Sequence, residues 1–163
     1  MPKVQVYIQN KGILYEPRTE EGIIWTTERK GVPGKLILSV LKEGALNFQE
    51  GNAIRADLDG KPFFYGFVFT KKRTKGKLIQ VIAYDQLRYF KNKDTYIYKN
   101  KTASELLQMM ASDFHLQCGN VEDTGHKIKK RLEDNKTLFD IIQYALDETL
   151  KQKRRLYVLH DNV

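Results

Sequence analysis

Between Phe63 and Tyr84 two β-prone apolar runs flank a very basic turn. Phe63 to Thr70 and Lys77 to Tyr84 form the runs. The connecting segment, Lys71-Lys72-Arg73-Thr74-Lys75-Gly76-Lys77, puts five cations in seven residues. So short a link allows antiparallel pairing alone, because a parallel crossover needs a dozen residues or more. The first run is apolar on both faces: Phe63, Tyr65, Phe67 and Phe69 on one, Phe64, Gly66 and Val68 on the other. Leu36, Leu38 and Val40 oppose Ile37, Ser39 and Leu41 in the same way. A sheet with one wet face alternates cleanly, so the second face here needs a cover, from the same chain or from another subunit.

More strands surround this hairpin. Val4, Val6 and Ile8 alternate with Lys3, Gln5 and Tyr7, and Ile54, Ala56 and Leu58 with Arg55, Asp57 and Asp59. Asp59-Gly60 supplies a two-residue hairpin turn. Ile23 to Thr27, around the only tryptophan, Trp25, is another β-prone run, and the turn Gly31-Val32-Pro33-Gly34 leads into Lys35 to Leu41. From Thr102 the pattern becomes helical. Thr102-Ala103-Ser104-Glu105 is a capping box, followed at helical spacing by Leu106, Leu107, Met110, Ala111 and Phe114. Asn135-Lys136-Thr137 repeats Asn100-Lys101-Thr102 and starts a second stripe of Leu138, Ile141, Ile142, Ala145 and Leu146. Leu156 to Leu159 is a last β-prone run.

Charge follows the same division. Residues 1–100 hold 18 Lys+Arg against 10 Asp+Glu, and residues 101–163 hold 10 of each, so the net +8 lies wholly in the first part. The expected fold is α+β: an antiparallel β-barrel domain over residues 1–100, then a small helix-containing α/β domain over residues 101–163.

No constellation for chemistry emerges. His115, His126 and His160 lack any metal-ligand spacing, and Cys118, the single cysteine, has no motif around it. The acidic pairs Glu20-Glu21, Glu122-Asp123 and Glu133-Asp134 are sequence neighbours in expected loops, which does not set carboxylates across a substrate. Neither a P-loop nor a dinucleotide fingerprint is present. The expectation is a protein that is not an enzyme and has no cofactor. The longest apolar runs are far too short for a bilayer, and the first dozen residues hold no core of signal-peptide length, so neither a membrane anchor nor secretion is expected. The basic hairpin beside aromatic residues raises one alternative, a nucleic-acid-binding β-barrel module. No RNA-binding signature accompanies it, and specific nucleic-acid binding is not expected.

Gly66-Phe67-Val68, then Val81-Ile82-Ala83-Tyr84-Asp85-Gln86-Leu87, then Tyr98-Lys99-Asn100-Lys101-Thr102 follow in an order that resembles the baseplate hub proteins of contractile phage tails. The likeness is to hubs of PBSX-type prophages and phage-tail-like bacteriocins, with late control D proteins as more distant relatives. It covers residues 50–115 well and the remainder by order of elements. The resemblance implies a homotrimer that adapts the tail tube protein to the central spike protein. Assembly would occur in the bacterial cytoplasm, before incorporation into a virion or tail-like particle. Family members are longer, so the chain is expected to be a fragment. On this reading Trp25, Phe64, Phe67 and Val68 are candidates for packing or subunit contact, and Lys71, Lys72 and Arg73 for polar contacts with partners.

Overall fold

A computed structural model describes residues 2–74 and 76–162. The chain divides into two units, residues 1–27 with 33–86, and residues 28–32 with 87–162. The division falls ahead of Asn100, where charge and composition change. Residues 93–98 make a strand whose partner lies far along the chain, at 131–137, and that pairing binds them to the second unit.

The first unit is one antiparallel sheet of β1 (Val4–Asn10), β2 (Ile13–Tyr15), β3 (Ile24–Thr26), β4 (Lys35–Leu41), β5 (Ala53–Leu58), β6 (Lys61–Arg73) and β7 (Leu78–Tyr84). Its spatial order is β2-β1-β5-β6-β7-β4-β3. Asp59 and Gly60 take the positive φ values, 50° and 76°, that the two-residue turn between β5 and β6 demands. The inner face gathers Val6, Ile8, Leu36, Leu38, Val40, Ile54, Ala56, Phe64, Val68, Ile79, Val81 and Ala83 around Phe48.

The expected closed barrel is not found. No ladder joins the edge strands β2 and β3 among the described residues. The sheet is nevertheless strongly curled. β2 ends at Tyr15 on one edge, and three residues later the chain reaches the opposite edge, where the Arg18 carbonyl accepts from Leu41 N–H at 2.8 Å and Thr19 bridges Val40. Three residues span about 10 Å, whereas seven flat strands would set the edges about 29 Å apart. A covalent link, not a ladder, closes the circuit.

Two glycines permit this. Gly66 faces the interior, and a β-carbon there would clash with the carbonyl of Tyr84 and the ring of Phe64. Glycine inside a strand marks such close backbone approach. Gly34 gives its N–H to the buried Asp85 carboxylate at 2.7 Å and accepts from Asp85 N–H at 3.1 Å. A β-carbon at Gly34 would collide with that carboxylate.

In the second unit a 3-10 turn, Gln86–Lys91, leads to β8 (Lys93–Tyr98), α1 (Ala103–Asp113), β9 (Arg131–Thr137) and α2 (Leu138–Lys153). Strands β8 and β9 pair antiparallel, with Tyr98 opposite Arg131 and Ile97 opposite Leu132. Thr102 completes a full capping box with Glu105, and Thr137 accepts from Asp140 N–H. The stripes Leu106, Met110 and Leu138, Ile141, Ile142, Ala145 bury against Phe90, Tyr96 and Tyr98. Leu156 to Leu159 forms no strand.

Two consequences can be measured. Gly66→Ala should cost about 3 kcal/mol, the upper range for overpacking against an unyielding neighbour, while Gly60→Ala, which meets no atom, should cost only its backbone strain; paired denaturation curves read the difference. Tyr98 is buried with no hydrogen-bond partner for its hydroxyl among the described residues. Burial pushes that phenol up to about 12, aided by Glu133 and opposed by Arg131. Since the unfolded phenol ionises near pH ~10, its contribution is intact below that pH and lost as pH rises toward 12. Tyr98→Phe should therefore leave stability at neutral pH unchanged or higher and flatten the alkaline limb of a melting-temperature profile.

Candidate interaction surface

Strand β6 determines which side chains reach the surface. Its alternation sends Phe64, Gly66 and Val68 inward and Tyr65 and Phe67 outward. The register against β7 then shifts between Val68, opposite Ala83, and Thr70, opposite Ile82, leaving Phe69 as the extra residue of a bulge. The Phe69 ring packs edge-on to Tyr84 at 5.1 Å, and Tyr84 is the cross-strand partner of Phe67. Phe67 meets Tyr65 edge-on at 5.9 Å. Tyr65, Phe67 and Phe69 are 45%, 36% and 47% exposed, so the ladder that these rings form with Tyr84 on the outer face stays open to solvent. At its flank Arg55, opposite Tyr65, covers the Tyr7 ring and pairs with Asp57 at 2.9 Å.

The sequence candidates fall into different places. Phe64 and Val68 are core residues, each 2% exposed. Trp25 pairs with Leu36, an inward residue, and reaches Phe63 at 5.3 Å between ring centres, capping one end of the curled sheet while half exposed. Phe67 alone of the four belongs to the open outer face. Beyond the bulge, Lys71 opposes buried Val81 and Arg73 opposes buried Ile79, whereas Lys72 opposes outward Gln80. Lys71 lies over the Phe48 ring at 4.6 Å and donates to the Phe48 carbonyl. Lys75 lies outside the described residues. Tyr65, Phe69 and Tyr84, the other ladder rings, were visible in sequence as one parity of an all-apolar strand pair, but parity does not say which side is inside.

The remaining polar groups hold structure. Arg131 pairs with buried Glu133 and stacks on Tyr144 at 3.5 Å, and the hydroxyls of Thr102, Ser104 and Thr124 knit a loop to the start of α1. Cys118 is exposed. Among the described residues no three His, Cys, Asp or Glu gather as metal ligands, and no helix is long and apolar enough to cross a membrane.

The YQBQ-like family model matches residues 23–163, which takes in most of both units. The chain belongs to the YQBQ-like family. Among its relatives is the phage-like element PBSX protein XkdQ of Bacillus subtilis, 35% identical over 126 residues, covering 74% of this chain and 38% of XkdQ. The protein YqbQ of the same organism is 31% identical over 133 residues, covering 80% of this chain and 40% of YqbQ. The chain thus spans about two fifths of the length of these relatives. Its fold is that of solved phage tail proteins. The 43 kDa tail protein of prophage MuSo2 from Shewanella oneidensis superposes with a TM-score of 0.67 at 13% identity, covering 90% of this chain and 49% of that one. A tail protein from Neisseria meningitidis MC58 gives 0.62 at 12% identity, covering 88% and 45%.

Inner and outer residues of β6 should behave oppositely in this YQBQ-like chain. Phe64→Ala should destabilise the first unit by about 3–5 kcal/mol. Phe67→Ser, which loses an exposed cross-strand contact, should cost about 1 kcal/mol or less. Thermal melts of the two variants side by side make the check.

Proposed function

We propose that the chain is a structural, non-enzymatic part of a phage tail or tail-like particle, and within it of the baseplate hub that joins the tail tube to the central spike. The observation that carries this reading is the shared fold: about nine tenths of the chain superposes on solved tail proteins. Its kinship with a protein of a phage-like element adds support. The aromatic ladder fits the same role, since Tyr65, Phe67 and Phe69 are each at least 36% exposed and a subunit interface leaves such an apolar face on a lone protomer. Copies arranged as a trimer would bury that face and hold the spike on the tube as a rigid adaptor. Contraction of the sheath would then drive tube and spike through a target envelope. Assembly takes place in the bacterial cytoplasm, and the mature location is the particle.

Light scattering over a wide concentration range, together with co-purification alongside the tube and spike proteins of the same prophage, tests this. Concentration-dependent trimers are expected, weakened by Phe67→Asp with Phe69→Asp while the melting temperature of the protomer holds. A chain that stays monomeric throughout and captures neither protein would overturn the hub assignment.

A further inference from the structure

The two ends of the curled sheet differ in character. Trp25 and Phe63 cap the end where β4 and β6 begin. At the opposite end, where β4 and β6 finish and β7 starts, Lys42, Gly44, Arg73, Gly76 and Lys77 line a groove of about 280 Å³. Backbone pairing holds it together, with Lys42 N–H donating to the Lys77 carbonyl at 2.7 Å. Gly44 and Gly76 both take positive φ, and a β-carbon at either would meet nothing, so the walls between the cations are bare backbone. Among the described residues none of Lys42, Arg73 and Lys77 has an ion-pair partner. The neighbouring carboxylate, Glu43, is turned to Arg18 at 3.7 Å.

We infer that this groove is a docking site for an acidic segment of a partner protein, with the Arg73 guanidinium and the Lys42 and Lys77 ammoniums receiving its carboxylates. Charge complementarity identifies the occupant. The groove fits one or two carboxylates, and a guanidinium fork binds such groups through two parallel hydrogen bonds. Nucleic acid fits less well for a reason of register. A single-strand binder needs stacking rings and phosphate-neutralising cations on one surface. Here Tyr65, Phe67 and Phe69 face outward, while Lys71 and Arg73 oppose the inward residues Val81 and Ile79. Of the three cations at the end of β6, only Lys72 shares the face of the rings. The groove's chemistry does not depend on the chain being a tail hub, and it does not involve the aromatic ladder.

Fluorescence anisotropy of the full chain with a labelled oligoglutamate peptide, and with an oligothymidylate of matched charge, tests the assignment. The peptide should bind saturably and weaken as salt rises from about 50 to about 200 mM. Arg73→Gln with Lys77→Gln should loosen it by roughly tenfold, as expected for two partly screened charge contacts. Lys127→Gln with Lys129→Gln, on the second unit, should leave it unchanged. Arg73→Lys should give an intermediate loss, reflecting the missing fork. Unchanged melting temperatures would show that the variants remain folded. The assignment fails if the peptide does not saturate, if the second-unit variant weakens binding as much, or if the oligothymidylate binds more tightly and through the same residues.

Discussion

Everything in the first unit depends on how tightly one sheet can be bent. Tyr15 and Arg18 sit on opposite edges of seven strands, so curvature has to supply what three residues of chain cannot span. Bending brings backbones together on the concave side, and that is where the carbonyl of Tyr84 presses on Gly66. A side chain at that position would flatten the sheet and force the core around Phe48 open. The same curvature separates the inner and outer sets of side chains and gives the unit two distinct ends, one aromatic and one cationic.

The Tyr84-Asp85 step also gains a physical meaning. Tyr84 supplies the backbone contact at Gly66 and the outer ring that holds Phe67 and Phe69 in place. Asp85 then leaves the strand and ties its end to Gly34 through a reciprocal pair of hydrogen bonds. One bond of the pair reaches the buried carboxylate and the other the backbone, and a hydrogen-bond donor of this kind offsets part of the cost of burying the charge.

Much of this was legible in the residues. Alternation located β1 and β5, and β-prone runs apolar on both faces located β4 and the long hairpin of β6 and β7. Asp59-Gly60 marked the turn between β5 and β6, and both threonine caps fell where the spacing placed them. The strands of the second unit were not legible. Strand β9, Arg131 to Thr137, exposes Leu132 and buries Glu133, the reverse of what an apolar alternation signals, because the Arg131 guanidinium and the β8 tyrosines supply the environment for that carboxylate. Strand β8 buries tyrosines rather than aliphatic residues. In the first unit the hidden quantity was the side of β6 that faces the core. Both of its faces are apolar, and the choice rests on curvature set by residues far away in the chain. That is why Phe64 and Val68 were grouped with Phe67 although only the last is open.

The short stretch 28–32 interrupts the first unit and belongs to the second, where Lys30 pairs with Asp147 at 3.3 Å. The chain therefore passes between the units three times, after Thr27, after Val32 and after Gln86. A proteolytic nick after Gln86 would free the chain from Leu87 onward as a separate polypeptide, while the stretch 28–32 of the same unit would stay attached to the first. Excision by truncation is equally restricted, because a fragment starting at Leu87 would leave behind a piece of its own unit. During synthesis that piece emerges from the ribosome well before the helices it serves and has to wait for them.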